Sequence, residues 1–415
     1  TTDLKELEAI VTIDLAMAKK SFLDEPIIVS TGDSNKAIDS SKNKLDGSIS
    51  IGGQEHYYLE GQVAFAIPTE DNEMVVHSST QNPTEVQHLV AHVLDVPQNA
   101  IEVVTRRMGG GFGGKETDSS QLACVCAIFA NQTKLPIKAR LSRKDDILMT
   151  GKRHDFKANY KVGYDDDGRI LGIEVDLAAR CGYSLDLSKA IVSRALFHAD
   201  NAYFLPNATF RGFLCKTNTA SNTAFRGFGG PQGMLAIENI IEEIAMNIGV
   251  DPLEIRQLNY YQKETNNVTP YDQVVEDNIV NELTTELIED SQYLARRESI
   301  KNFNKNNTYL KKGLAFSPVK FGISFTTQLL NQAGALVNIY KDGSIYINHG
   351  GTEMGQGLFI KVAQVVANEF GVSLERVKVS ATSTAKVPNT SPTAASSGSD
   401  LNGMAAWDAA SKIKN

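Results

Sequence analysis

Three glycine-rich runs carry the residues whose types and spacing can do chemistry: residues 108–116 (MGGGFGGKE), 226–233 (RGFGGPQG) and 350–357 (GGTEMGQG). Glycine loses the most conformational freedom on folding, so a run such as Gly109, Gly110, Gly111, Gly113 and Gly114 is costly to order. Close approach of bare backbone N–H groups to a ligand offsets that cost. Phe112, Lys115 and Glu116 are set within or directly after the first run. Each run feeds a predicted helix, so unpaired N–H groups and the helix dipole point the same way, a geometry suited to an anionic ligand. The first run also satisfies G-x-G-x-x-G through Gly109, Gly111 and Gly114. A dinucleotide site expects an acidic residue at the end of the next strand, and residues 135–141 run instead into Ser142, Arg143 and Lys144. Glycines placed only for tight strand–helix packing explain one such loop better than three.

The elements that must position these loops alternate between strand and helix. Residues 100–105 (AIEVVT) read as a strand entering the first loop, and residues 118–131 as a buried helix. Residues 156–163 and 170–179 form a hairpin across Asp165, Asp166, Asp167 and Gly168. A second hairpin joins residues 335–340 to 344–348, with Val337, Ile339, Ile345 and Ile347 expected on its buried face. Met234, Ile237, Ile240, Ile241, Ile244 and Ile248 fall on one stripe of the helix after the second loop. Leu358, Val362, Val365 and Val366 do the same after the third. Residues 263–277 are polar and irregular and mark the best internal boundary. The first fifty residues carry a polar stretch, 33–47, and neither end reads as the capped limit of a domain; the chain is expected to be a section of a larger protein.

A chain of 415 residues, 42% hydrophobic and 22% charged, is long enough for two or three domains with sizeable cores. Its formal net charge of −8 argues against nonspecific partnership with nucleic acid or an anionic membrane. No run approaches a transmembrane length and no basic-then-apolar leader opens the chain, so cytoplasmic residence is the default. Cys124, Cys126, Cys181 and Cys215 are too scattered for an iron–sulfur or zinc site, and His88 and His92, four apart, read as a solvated helix face.

In chain order, residues 52–60 (GGQEHYYLE), 79–82 (STQN), 109–116 (GGGFGGKE), 221–232 (SNTAFRGFGGPQ), 351–357 (GTEMGQG) and 387–396 (VPNTSPTAAS) resemble the molybdenum-cofactor-binding part of the xanthine dehydrogenase (xanthine oxidase/aldehyde oxidase) family. The resemblance covers essentially the whole chain. It implies an α+β (mixed α/β) fold: residues 1–50 end a preceding hammerhead-type domain, 51–268 form a first molybdopterin-binding domain, and 269–415 begin a second that is truncated. It implies a molybdenum–molybdopterin cofactor, with FAD and 2Fe–2S centres only on a partner subunit or another domain. By motif match Gln81, Phe112, Arg226 and Ala395 surround the molybdenum without ligating it through side chains. Gln356 contacts the pterin, and Gly113 and Ser396 the nearby cofactor edge.

The same carry-over gives substrate residues. Phe228 and Phe325 sandwich a flat heterocycle, Thr326 meets its polar edge, and Glu116 with Arg194 faces a purine, where aldehyde oxidases lack this acidic–basic combination. The implied reaction is oxidative hydroxylation of hypoxanthine or xanthine to urate with water as oxygen source, and a glutamate as general base in a C-terminal Gly-Glu-Pro-Pro motif. This chain has no such motif, so no catalytic base is assigned, and Glu116 and Glu353 are not promoted to that role. The implied partners are a purine, the remainder of the molybdenum domain and an iron–sulfur/FAD subunit, in a hetero-oligomer. The alternatives are an aldehyde oxidase-like or other N-heterocycle hydroxylase, a non-catalytic apo fragment and, more remotely, a nucleotide-binding dehydrogenase.

Overall fold

The structure, a computed structural model, describes residues 8–414. Helix α1 (Ile13–Ala18) leads into β1 (Ile27–Thr31), α2 (Ser34–Ser40) and β2 (Asn43–Ile51). A second run holds β3 (Val63–Pro68), β4 (Met74–Ser78), α3 (Pro83–Leu94), β5 (Ile101–Thr105), α4 (Ser119–Thr133) and β6 (Ile137–Arg140). After α5 (Arg143–Met149) come β7 (Phe156–Tyr164), β8 (Ile170–Gly182), α6 (Ser188–Leu196), β9 (Ala208–Lys216), α7 (Gly230–Ile248) and α8 (Pro252–Asn259). Helices α9 (Val280–Asp290) and α10 (Tyr293–Asn306) precede β10 (Ala335–Ile339), β11 (Ile345–His349), α11 (Leu358–Phe370), β12 (Val377–Val379), β13 (Thr382–Ser383) and α12 (Gly398–Lys414).

These elements make three mixed sheets, ordered β1-β9-β8-β7-β2, β13-β5-β4-β3-β6 and β10-β11-β12. The α+β expectation holds. The polar residues 33–47 build α2 and most of β2, which pairs antiparallel with β7 from Asn43 opposite Tyr164 to Ile51 opposite Phe156. A strand at the sheet edge needs apolar residues on one face only, and Leu45, Ile49 and Ile51 supply them.

Each sheet has its own core. The first packs on α6 and α7 through Val175, Leu177, Phe210, Ile240, Ile241 and Ile244. The second packs on α3 and α4 through Val76, Val86, Val103, Ala123 and Cys126. The third packs on α11 and α12 through Ile345, Ile347, Val362, Val366 and Ala406. Ile339, expected inside, is 46% exposed, at the end of β10 beside the turn. His88 and His92 are exposed on α3. No helix among the described residues is long and apolar enough to cross a membrane.

Two features of this architecture serve the loops. Strand β13, from the far end of the chain, pairs antiparallel with β5, Thr382 opposite Thr105, so the segments around 108–116 and 387–397 are brought together. Helix α7 is jammed against α6: a Cβ on Gly233 would lie 2.1 Å from Ala195 O. Gly403 on α12 has only an ordinary contact, 3.7 Å to Val365. Gly233→Ala is therefore expected to cost about 1–3 kcal/mol by overpacking, whereas Gly403→Ala stabilises its helix by about 0.5–1 kcal/mol. Urea unfolding midpoints of the two variants check the opposite signs.

Candidate functional site

The loops meet on Gln81, a buried residue between β4 and α3. Its side-chain Oε1 accepts from Gly113 N at 2.9 Å, and its Nε2 donates to Thr393 O at 3.1 Å. Its backbone N–H donates to Lys115 O at 2.8 Å and its carbonyl accepts from Thr393 N at 2.9 Å. One residue thus clamps the first glycine loop to the 387–397 segment. Gly111 lies so close that a Cβ there would fall 2.7 Å from Gln81 Oε1.

The other loops hang on this pair. Arg226 N–H donates to Phe112 O at 2.8 Å, and Thr352 N–H donates to Thr393 Oγ1 at 2.8 Å. Met108 N–H donates to Glu353 O at 2.9 Å. Ser324 N–H donates to Ala395 O at 2.8 Å, which brings in the segment before Phe325. Gln81, Phe112, Gly113, Arg226 and Ala395, named from separate motifs, therefore form one hydrogen-bonded assembly. Gln356 lies on the connected third loop, its carboxamide turned back to Met354 N and Thr352 O.

The backbone at the loop tips is strained. Phe112 (φ 55), Phe228 (φ 51), Ala395 (φ 56) and Ser396 (φ 57) are all left-handed, a conformation costing non-glycine residues on the order of 1–3 kcal/mol each. The N–H groups of Gly111, Phe112, Ala395 and Ser396 meet no protein acceptor among the described residues. Phe112 and Arg226 are exposed at the tips. Bare donors on two loops tied together through Gln81 fit a ligand rich in acceptors, such as the oxygen, sulfur and phosphate atoms of a molybdopterin. Among the described residues no three His, Cys, Asp or Glu side chains gather as a metal cage.

The helix N-termini do not act as three anion sockets. Glu353 closes the start of α11 from within: its Oε1 accepts from Gly355 N at 2.9 Å and Gly357 N at 3.0 Å, and its Oε2 from Phe359 N at 3.0 Å. At α7, Gly229 is pressed onto Ile191 O, where a Cβ would stand 2.0 Å away. The first loop is separated from α4 by a turn through residues 115–118. Nor is it part of a dinucleotide fold, because β6 pairs antiparallel with β3 rather than parallel beside β5. What the loops offer is the set of unpartnered N–H groups at their tips.

Lys115 and Glu116 part company. Lys115 is fully buried, with Nζ on Ser79 Oγ at 2.8 Å and 4.7 Å from the centre of the Tyr58 ring, and burial lowers its ammonium to about 8. Glu116 is also buried and has no side-chain hydrogen-bond partner among the described residues. Burial, and then the Asp186 carboxylate, raise its carboxyl to about 8. Arg194 makes no ion pair with it; NH1 and NH2 donate at 2.5 Å to Gly322 O and Ser324 O. Phe228 and Phe325 are half-buried and Thr326 is exposed.

Residues the motifs contained but did not single out also build the site. Thr393 is the counterpart of Gln81. His56 lies under the first loop, donating from Nε2 to Ala224 O at 2.6 Å, and a Cβ on Gly114 would fall 2.7 Å from its ring. Arg153 packs over Phe225 at 4.0 Å and donates to Arg226 O at 2.7 Å. Membership of motifs 52–60 and 387–396 signalled the first two; Arg153 lies outside every motif and nothing in sequence marked it.

Family comparison gives the class of the chain. The molybdopterin cofactor-binding domain family matches residues 20–260, and a second molybdopterin cofactor-binding domain family matches residues 286–415. The chain belongs to the molybdopterin cofactor-binding family. It is 47% identical over 411 residues to a xanthine dehydrogenase of Dictyostelium discoideum, covering 99% of this chain and 30% of that protein. It is 46% identical over 410 residues to the xanthine dehydrogenase/oxidase of Gallus gallus, again 99% and 30%. A nicotinate hydroxylase of Emericella nidulans is 45% identical over 416 residues, 99% of this chain and 31% of that one. The chain thus spans about 30% of the length of such relatives. The fold matches quinoline 2-oxidoreductase from Pseudomonas putida 86 with a TM-score of 0.89 at 22% identity, over 99% of this chain and 54% of that one. It matches aldehyde oxidoreductase from Desulfovibrio gigas with a TM-score of 0.83 at 24% identity, over 98% and 45%.

The buried Glu116 has a thermodynamic signature. Its folded pKa of about 8 lies above the unfolded value of roughly 4.3, so protonation favours the fold. That benefit is complete below the unfolded value and lost as pH rises through the folded one. Wild type should therefore lose stability relative to Glu116→Gln between about pH 5 and about pH 9. Asp118, raised to about 7 chiefly by burial, is common to both chains and cancels in the difference. Urea unfolding across this range checks it; a constant difference contradicts the burial of Glu116.

Proposed function

We propose that this chain is the molybdenum-binding portion of a cytoplasmic purine hydroxylase of the xanthine dehydrogenase type, converting hypoxanthine and xanthine to urate. The observation that carries the reading is Glu116, a buried carboxyl held largely protonated at neutral pH on the loop that also presents Phe112. A neutral carboxyl donates a hydrogen bond to a ring acceptor and accepts one from a ring N–H, which suits a purine edge and is wasted on a simple aldehyde. Arg194 uses two of its N–H groups on Gly322 O and Ser324 O and keeps the others to oppose negative charge on the ring. Phe228 and Phe325 stack against the ring faces and exclude water, and Thr326 meets a polar edge.

Gln81, Phe112, Arg226 and Ala395 line the metal's position, Gln356 meets the pterin, and Gly113 and Ser396 its edge. The bound molybdopterin supplies the metal at which an electron-poor ring carbon is oxidised. Glu353 is spent as the cap of α11, and we assign the general base to polypeptide beyond this chain. In this reading residues 51–268 and 269–415 are the two cofactor-binding domains, residues 1–50 end a preceding one, and FAD and 2Fe–2S centres sit on another domain or subunit of a hetero-oligomer. The 45% identity to a nicotinate hydroxylase favours, as a second reading, a different N-heterocycle as substrate.

In the cofactor-loaded longer polypeptide, Glu116→Ala should lower kcat/KM for xanthine roughly 10- to 100-fold, the scale of leaving a buried hydrogen-bonding group without its partner. Turnover of an aromatic aldehyde should be retained. Unchanged xanthine turnover, or wild-type preference for nicotinate over xanthine, overturns the purine assignment.

A further inference from the structure

Residues 318–324, which lead into Phe325 and Thr326, belong to no helix or strand, and side chains stand in for a neighbouring strand. Asn201 Nδ2 donates to Pro318 O at 2.9 Å, and its Oδ1 accepts from Lys320 N at 3.0 Å. Lys320 Nζ reaches buried Asp200 at 2.8 Å and Tyr271 Oη at 2.8 Å. His198 Nε2 lies 3.1 Å from Gly322 N, and Arg194 binds the carbonyls of Gly322 and Ser324. Residues 318, 320, 322 and 324 are thus each tied to groups at the end of α6 or in the turn after it. Ser324 passes the constraint to Ala395 through its N–H.

His198 is the informative member. Its Nδ1 is 2.8 Å from Arg194 O, which can only accept, so Nδ1 carries the proton. Its Nε2 faces Gly322 N–H, which can only donate, so Nε2 offers its lone pair. Both bonds require the neutral imidazole in one tautomer. The ring also packs on Phe321 with centroids 4.8 Å apart, and a Cβ on Gly230 would approach Phe321 to 2.7 Å.

We propose that His198 is a positioning residue for the candidate substrate pocket: a neutral, single-tautomer bridge from the Arg194 carbonyl to Gly322 N–H that fixes the segment presenting Phe325 and Thr326. The word "substrate" rests on the function proposed above; the bridge itself does not. The charges around the ring keep it neutral. Arg194 on α6 and Lys320 on the segment both oppose an imidazolium, Asp200 is occupied by Lys320 and Tyr261, and Glu238 on α7 is occupied by Arg256, Asn201 and Tyr203. Burial is the largest influence, and together they hold its pKa near 4. Protonation places an N–H where Gly322 needs an acceptor, so the bridge fails in acid.

Amide hydrogen exchange of residues 322–326 in the 415-residue chain tests this, normalised to intrinsic rates and to core amides of α7. Wild type should protect the segment at neutral pH and lose about tenfold protection, the scale of one buried hydrogen bond, as pH falls through about 4. His198→Phe keeps the ring against Phe321 without either nitrogen; it should show the tenfold loss at neutral pH and no acid step. His198→Gln retains an acceptor for Gly322 N–H, so protection should return at neutral pH, again with no acid step. Protection in the Phe variant equal to wild type, or no rescue by Gln, overturns the proposal. Added xanthine is scored separately: if the bridge behaves as stated and xanthine leaves the segment unchanged in the cofactor-loaded polypeptide, the purine reading falls and the bridge stands.

Discussion

Loops made of glycine have almost no side chains with which to hold one another, so something outside them must fix their relative positions. The Gln81 carboxamide and peptide do this, with Gly113 and Lys115 on one side and both peptide groups of Thr393 on the other. A primary amide suits the role because it donates and accepts at once, on atoms about 2 Å apart, and is never charged. Buried as it is, each of its bonds would be costly to leave unmade, so the junction has one satisfied arrangement. Phe112, Arg226, Ala395 and the third loop follow by backbone bonds from there.

The strain at the tips has its counterweight in the three cores beneath them. Left-handed Phe112, Phe228, Ala395 and Ser396 persist because strands, helix packing and Gln81 over-determine the backbone on either side. The cradle's shape is therefore set by its own protein contacts. Preorganisation of this kind removes reorganisation from the binding step. Glu353 shows the same economy: by closing the start of α11 with three N–H bonds it keeps the third loop in place.

Local chemistry was legible in sequence where period or turn residues spoke for themselves. The two hairpins, the stripe of isoleucines in α7 and the helix after the third loop all stand where their patterns place them. The motif residues around the junction could be named one by one, but not their connections, because Gln81 and Thr393 are separated by most of the chain. The pairing of β13 with β5 was invisible for the same reason, as two residues carry no period. Strand β2 was hidden by its polar outward face, although Leu45, Ile49 and Ile51 alternate correctly. The anion-socket reading of the helix N-termini failed because a carboxylate four residues upstream of Gly357 could not be seen to fold back. Arg194 could be named, but not its bonds to Gly322 and Ser324, which come from a segment more than a hundred residues away.

If Gln81 is what assembles the cradle, its loss should cost cofactor before it costs fold. Molybdenum and pterin content should be measured in the longer polypeptide purified from cells that make the cofactor, for wild type and Gln81→Ala, beside the circular dichroism of each. The geometry predicts metal and pterin falling together by roughly 10- to 100-fold, the range seen when groups that orient a metal site are removed, with secondary structure retained. Full molybdenum occupancy in a folded Gln81→Ala protein would contradict it.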